Sequence, residues 1–288
     1  MSLVSKAVGA AFSVGPGYEP QPLGGFEPEG VGAYFLDLRA KTKAASARMP
    51  SSLGAAALAQ LALGWWDRGE SARAWFLVTA DALADRAERR ADGWRWRYEV
   101  AVPKYGLRPG WCSAMAQGQA ASVFVRAHLV TGRDDYAQAA LAALQPLHRA
   151  TDGLVTSTSA GPVLEEAPSA QPSHILNGWI YALWGVRDVH QGLGDHGARV
   201  LFEESAACLE SMLPRYDTGW WTRYGLYPEL DLAKPFYHRI HALQLDAMSR
   251  LTGSSRYAEY AERWHGYDTP VNRARIVARK GVALARAA

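Results

Sequence analysis

Four apolar helical runs recur at a spacing of about sixty residues, and that period limits the chain more than any single residue does. Helix starts fall near Ser52, Ser113, Ser173 and Tyr237, at intervals of 61, 60 and 64 residues. Glycine-centred turns near Gly69, Gly132, Gly194 and Gly253 follow at intervals of 63, 62 and 59. Two of these turns read alike, LVTGRDDYA at 129–137 and LTGSSRYA at 251–258. The first helix of each pair is the more apolar (AALAQLALGWW, AASVFVRAHLV, ILNGWIYALWGV, IHALQLDAMSRL) and belongs to an inner ring. Second helices such as ARAWFLVTADALADRAERR carry more charge and belong outside. The expected fold is therefore all-α dominated, an (α/α) toroid or incomplete barrel of about four helix pairs.

Between the pairs lie aromatic or β-prone connectors: WRWRYEV at 94–100, GLVTSTSAGPVLEE at 153–166 and TGWWTRYGLY at 218–227. Their alternation predicts short β-hairpins or extended loops at one end of the ring. Residues 33–46 (AYFLDLRAKTKAAS) read as a first helix. Residues 1–30, rich in Gly and Pro, read as an extended arm, 31–270 as the barrel, and 271–288 as a C-terminal helical tail. With this repeat all inner helices begin at the same end, so several helix N-termini face one cleft and favour a negatively charged ligand.

Composition narrows the partner. At 288 residues and 49% hydrophobic, the chain can bury one large core. A formal charge of +3 with no Lys/Arg block gives no nucleic-acid face. Two distant cysteines imply no disulfide framework and fit a reducing compartment. No stretch is long and apolar enough for a membrane span, and the N-terminus gives no clear signal peptide, so a cytoplasmic location is expected. The 11 Trp and 13 Tyr pack cores but also stack on sugar rings. No GxSxG, P-loop, Rossmann fingerprint or separated metal-ligand set is present, so no cofactor and no metal are expected.

Candidate chemistry gathers in four stretches. In LEEAPSAQPSHILNGWIYALW (164–184), two carboxylates, Glu165 and Glu166, precede a Pro168…Pro172 kink. A helix N-capped by Ser173 is expected next, carrying His174, Asn177 and Tyr181 on one face. Glu166 is a candidate general base or the group that holds one, with a helix-dipole partner as the alternative; His174 is expected to be a neutral hydrogen bonder. In GWCSAMAQGQ (110–119), Ser113 is a plausible cap, and Gln117 and Gly118 serve either a ligand or internal packing. Cys112 reads as a buried small residue. LPRYDTGWWTRYGLY (213–227) presents Trp220, Trp221, Arg223, Tyr224 and Tyr227 on a connector. In FYHRIHALQL (236–245), His238 and His241 are three apart with no carboxylate to complete a zinc site. Tyr237 at that helix's N-terminal end is expected to have a lowered pKa. Tyr105 and Trp111 complete the candidate sugar-contacting set.

These blocks resemble, in order, those of the D-glucuronyl C5-epimerase C-terminal family, enzymes that convert glucuronate to iduronate in heparan sulfate precursors. GWCSAMAQGQA is similar to the family's GWYSAMAQGQA, and EEAPSAQPSHILNG to its EEYP…PS..LNG. LPRYDTGWWTRY is similar to its LP.YDTG…Y, FYHRIHALQL to its YH..HI.QL, and RWHGY at 263–267 to its closing RW..Y. Together the blocks cover roughly residues 90–268, and GAYFLDLRAKT at 32–42 resembles an upstream Y..D.R segment. The resemblance implies an (α/α) barrel whose catalytic residues are Glu166, Tyr224 and Tyr237. It also shows departures: the tyrosine of EEYP is Ala167 here, and the family's YDLR becomes Tyr224-Gly225-Leu226-Tyr227, without its Arg.

The C5 hydrogen of a uronosyl residue lies α to a carboxylate, so its removal builds charge that the site must hold while a proton returns on the other face. The expected partner is thus an anionic polysaccharide or oligosaccharide of the heparosan, glycosaminoglycan type, with no nucleic acid and no membrane; a homodimer is compatible with the sequence. Gln117, His174, Asn177, Trp221, Arg223, Tyr227, His238 and His241, with Tyr105 and Trp111, are the substrate-binding candidates. Two other readings stay open at this point: a uronate lyase, which shares the first proton abstraction, and a non-catalytic sugar-binding homologue that lost a tyrosine at Ala167.

Overall fold

The repeat seen in the sequence folds as four helix pairs. The computed structural model describes residues 30–44 and 53–286. Inner helix α1 (Ala55–Trp66) is followed by outer helix α2 (Arg73–Asp85). Then come α3 (Ala114–Thr131) with α4 (Asp134–His148), and α5 (Leu176–Leu193) with α6 (His196–Tyr216). The last pair is α7 (Pro235–Thr252) with α8 (Ser255–Tyr267), and α9 (Pro270–Arg286) follows it. Inner helices pack in the order α1–α3–α5–α7, each against its own outer partner. This is the all-α toroid that the period implies.

Three of the four turns between inner and outer helix are set by one glycine at the helix end. Gly132, Gly194 and Gly253 end α3, α5 and α7 with φ of 68, 69 and 70°. Their N–H groups bond back to the carbonyls of His128, His190 and Ser249, at 2.8 Å each. A residue with a Cβ pays about 1–2 kcal/mol in that left-handed conformation, which is why the repeat carries glycine there. Asp195 and Ser254 then cap the outer helices through Oδ1 and Oγ.

The two middle inner helices are buried on every face, α3 from Ala114 to Ala127 and α5 from Leu176 to Val189. They meet backbone to backbone. A Cβ at Gly118 would fall 2.6 Å from Ala182 Cα, and one at Gly185 would fall 1.9 Å from the Gly118 carbonyl oxygen. Gly118 therefore serves helix packing rather than a ligand. At the far end of this crossing a fully buried ion pair joins the same helices: Arg126 Nη1 lies 2.6 Å from Asp188 Oδ2, which also accepts from Ser122 Oγ at 2.7 Å. The extended segment before Leu38 plugs that end with Tyr34, Phe35, Leu36 and Leu38.

Several local expectations are corrected. Residues 33–38 are not helical, only Arg39–Ala44 form a 3₁₀ turn, and Ala45 and Ser46 lie outside the described residues. The arm at 1–29 and the start near Ser52 also lie outside them. The run after α2 leaves the helix, and β1 (Glu88–Arg90) pairs antiparallel with β2 (Gly93–Arg95). A second hairpin joins β3 (Val155–Thr158) to β4 (Gly161–Leu164). The third connector forms only isolated bridges, Asp217 to Thr222 and Arg223 to Leu232.

Candidate functional site

Each connector reaches back over the N-terminus of an inner helix and takes one of its unpaired N–H groups. Ala56 N–H donates to Tyr98 Oη at 3.2 Å, Ala114 N–H to the Glu165 carbonyl at 2.9 Å, and Leu176 N–H to the Tyr224 carbonyl at 3.1 Å. A helix start left without such partners would be costly to bury. The connectors are thereby drawn together at one end. Lys104 pairs with Asp231 across the mouth, and the Tyr105 ring meets Tyr227 edge-on at 5.6 Å. One donor on each of these three helices is thus spent on the protein itself, which reduces the anion-binding capacity expected of those termini.

The two adjacent carboxylates divide into unlike roles. Glu165 is 1% exposed and fully engaged. It accepts from Thr156 Oγ1 at 2.9 Å, His174 N–H at 2.9 Å and Ser173 Oγ at 3.3 Å, and its Oε1 lies 2.6 Å from His174 Nδ1. It fastens the loop 165–174 to β3. Glu166 points the other way, onto the first turn of α5. A Cβ at Gly178 would fall 2.0 Å from Glu166 Oε2, so only glycine leaves room for that carboxyl. Glu166 Oε2 is buried without a hydrogen-bond partner. The helix N-terminus favours a carboxylate by about 0.3–2 kcal/mol. Burial without hydrogen bonds outweighs it and lifts the Glu166 pKa to about 8.

Around Glu166 stand tyrosines from two connectors and from α7. Tyr224 and Tyr237 meet edge to face with ring centroids 4.9 Å apart. Burial first, and the Glu166 charge second, raise both phenols well above the ordinary tyrosine value. The lowered pKa expected for Tyr237 at a helix N-terminus is thus reversed: desolvation and a neighbouring acid overcome the dipole. Tyr105, also raised by burial and by the Asp231 and Glu166 charges, packs with Trp111 and Tyr224 around Ala167, Leu107 and Ile175. Trp111 stacks on Tyr98 at 4.5 Å. Asn177, 1% exposed, keeps its Oδ1 unpartnered beside Gly178.

The remaining candidates are held by the scaffold. α5 starts at Leu176 with Ile175 as its N-cap, so Ser173 is not the cap and His174 is not on the helix. His174 sits at φ 43°, its carbonyl taking the Tyr216 hydroxyl at 2.7 Å, and it does not share a face with Asn177 and Tyr181. Gln117 donates to the carbonyls of Trp94 and Ala143 at 2.8 and 2.6 Å. Trp221 is fully buried, stacks on His238 at 3.7 Å and donates to the Ala233 carbonyl. Arg223 Nη2 donates to the Tyr227 carbonyl at 2.9 Å and shapes that turn. His238 and His241 both contact Thr222 Oγ1, at 2.9 and 3.1 Å. Among the described residues no group of three or more His, Cys, Asp and Glu side chains is placed to hold a metal ion. No helix there is long and apolar enough to cross a membrane.

Gly178, Thr222 and Gln244 matter here and went unremarked in the sequence. Gly178 follows Asn177 directly in LNG, and a glycine in the first turn of an apolar helix was the available signal. Gln244 is the matched Gln of the YH..HI.QL block, whereas Thr222 gave no signal, because its importance lies in what other segments bring to it.

Comparison with known proteins follows the same outline. Residues 90–266 match the family model described as D-glucuronyl C5-epimerase C-terminus. The chain is 32% identical over 213 residues to the D-glucuronyl C5-epimerase of Caenorhabditis elegans, covering 67% of this chain and 34% of that protein. It is 28% identical over 177 residues to an uncharacterised protein of Methanocaldococcus jannaschii, covering 59% of this chain and 56% of that one. Among solved structures, the cellobiose 2-epimerase of Spirochaeta thermophila is similar in fold, with a TM-score of 0.53 and 12% identity. That likeness covers 74% of this chain and 57% of the other. The chain thus spans about a third to a half of the length of the curated relatives it matches.

Proposed function

We propose a function from one premise: the chain belongs to the D-glucuronyl C5-epimerase C-terminus family. Its reaction is epimerisation at C5 of a uronosyl residue in a glucuronate-containing polysaccharide or oligosaccharide. The observation that carries this reading is the unpaired buried carboxyl of Glu166, set among Tyr224 and Tyr237. A buried acid with no partner is destabilising, and its pKa is tuned into the range where a carboxyl both gives and takes protons near neutrality.

The ionisation states support the proposed roles. With a pKa of about 8, Glu166 is mostly protonated at pH 7 and becomes a competent base as pH rises. The raised tyrosines stay phenols, hence proton donors. Glu166 in its carboxylate form takes the C5 proton; the C5–H electron pair delocalises into the uronate carboxylate. A phenol of the Tyr224–Tyr237 pair then delivers a proton to the opposite face, and C5–H re-forms with inverted configuration. Tyr105, Trp111 and Tyr227 at the mouth supply ring faces for the sugar. The neutral phenols hydrogen-bond to the developing charge, while Arg223 donates through Nη2 to the Tyr227 carbonyl and keeps its Nε buried without a partner.

A second reading, a sugar-binding homologue without catalysis, is favoured by Ala167, which is 4% exposed and lined by apolar side chains where the family motif has a tyrosine. Deuterium incorporation at C5 of N-acetylheparosan oligosaccharides in D2O, followed by NMR and mass spectrometry, separates the two. The expected result is exchange with intact chains. Saturable binding without exchange would move the assignment to the binder. Cleavage with an unsaturated, ultraviolet-absorbing end would identify a lyase.

A further inference from the structure

The hydrogen-bond network beneath Tyr224 determines which nitrogen of His241 is bare. His238 Nε2 lies 3.0 Å from the Trp264 carbonyl oxygen, which only accepts, so that nitrogen carries hydrogen. Burial holds His238 to a pKa of about 4, so it is neutral and its Nδ1 is a lone pair. That lone pair takes the Thr222 hydroxyl hydrogen at 2.9 Å. Thr222 Oγ1, its single hydrogen used, then accepts from His241 Nδ1–H at 3.1 Å. His241 is also kept neutral by burial, so its Nε2 is a bare acceptor. That atom is buried and has no partner.

One helical turn on, Gln244 repeats the pattern by a different route. Its Nε2 donates to the Asn177 carbonyl at 3.0 Å, which fixes the amide and leaves Oε1 as the acceptor. Gln244 Oε1 is likewise buried and unpartnered, and both residues are 0% exposed. Residues three apart share a helix face, so α7 offers two acceptors there, with the His241 ring 6.4 Å from that of Tyr224. Two buried acceptors without donors are destabilising unless something supplies hydrogens.

We propose that His241 Nε2 and Gln244 Oε1 form a hydroxyl-binding subsite, accepting O–H groups of the sugar and rejecting its carboxylate. This rests on the glycan reading above and adds an orientation: the carboxylate turns away from these two acceptors, toward the phenols of Tyr224 and Tyr237. His241 thereby changes role, from one of a histidine pair with metal-ligand spacing to a neutral acceptor whose tautomer is set through Thr222, His238 and the Trp264 carbonyl.

Long-range 1H–15N spectra of the full chain with labelled histidine test it directly. The expected spectrum has His241 protonated at Nδ1 and bare at Nε2, with the reverse for His238. Saturation with a non-sulfated N-acetylheparosan hexasaccharide shifts the His241 Nε2 resonance toward the hydrogen-bonded value and leaves His238 in place. The opposite tautomers, or binding with His241 unmoved, overturn the subsite alone and assign these acceptors to internal water. Failure of the hexasaccharide to bind at all overturns the glycan reading and the subsite with it. Thr222→Val, which frees the His241 ring, raises KM about tenfold with a smaller change in kcat, and Thr222→Ser restores it.

Discussion

Replacing Glu166 by Gln should make the protein more stable as pH rises while destroying its activity. The folded pKa of about 8 stands against an ordinary value of 4.5. Because the fold favours the protonated acid, an unfolded chain releases the proton first, and wild-type stability falls as pH climbs from 4.5 toward 8. At about 1.4 kcal/mol per pH unit, the penalty is about 3 kcal/mol at pH 7 and about 5 kcal/mol above pH 8. Glutamine keeps the shape, removes the titration, and leaves a pH-independent cost of about 1–3 kcal/mol for its own unpartnered amide. Urea unfolding of both proteins at pH 5, 6, 7 and 8 measures the difference. Its expected slope favours the variant by about 1.4 kcal/mol per pH unit. A difference that stays flat, or one that favours the wild type increasingly at high pH, would refute the claim that Glu166 is a buried, unpaired acid. C5 exchange by the variant should fall at least about a hundredfold.

The same site makes other demands. Gly178→Ala puts a methyl 2.0 Å from Glu166 Oε2 and must rotate the carboxyl away. Its helix gains up to about 1 kcal/mol in propensity, so the expected outcome is near-normal thermal stability with at least about tenfold lower exchange. Wild-type kcat/KM for exchange should rise with pH toward about 8 as Glu166 ionises, and the steady-state pH profile checks it. Tyr237→Phe keeps the ring against Tyr224 but removes a proton donor, so kcat should fall by about 10²–10⁴ with little change in binding measured by calorimetry. Away from the site, Asp188→Ala strands the buried Arg126 and should cost about 3–5 kcal/mol in denaturant unfolding.

Much of this architecture could be read before any coordinates. A sixty-residue period, apolar first helices and glycine turns specified the toroid, because each feature is local: left-handed caps need glycine, and a helix buried all round needs apolar residues on every face. The order of the connectors gathers the candidate residues at the inner helix starts for the same reason. Family motifs drew attention to Glu166, Tyr224 and Tyr237, and all three lie close enough to share charge interactions.

The roles of individual side chains were another matter. Glu165 and Glu166 are neighbours of one type, yet one is saturated by Thr156, Ser173 and His174 while the other is unpaired over Gly178. Gln117 looked like a ligand contact, and its Nε2 is spent on two carbonyls brought by β2 and α4 while its Oε1 stays unpartnered. His174 was expected on the helix and lies before it, because Glu165 and Tyr216 pin the loop in a left-handed turn. Tyr237 was expected to be acidified by the α7 dipole, but burial and the Glu166 charge raise its pKa instead. Local pattern governs which backbone conformation a stretch takes, since caps, turns and periodicity act within a few residues. Protonation, tautomer and orientation depend on solvent exclusion and on partners from segments dozens of residues away, and those exist only once the helix pairs have packed around them.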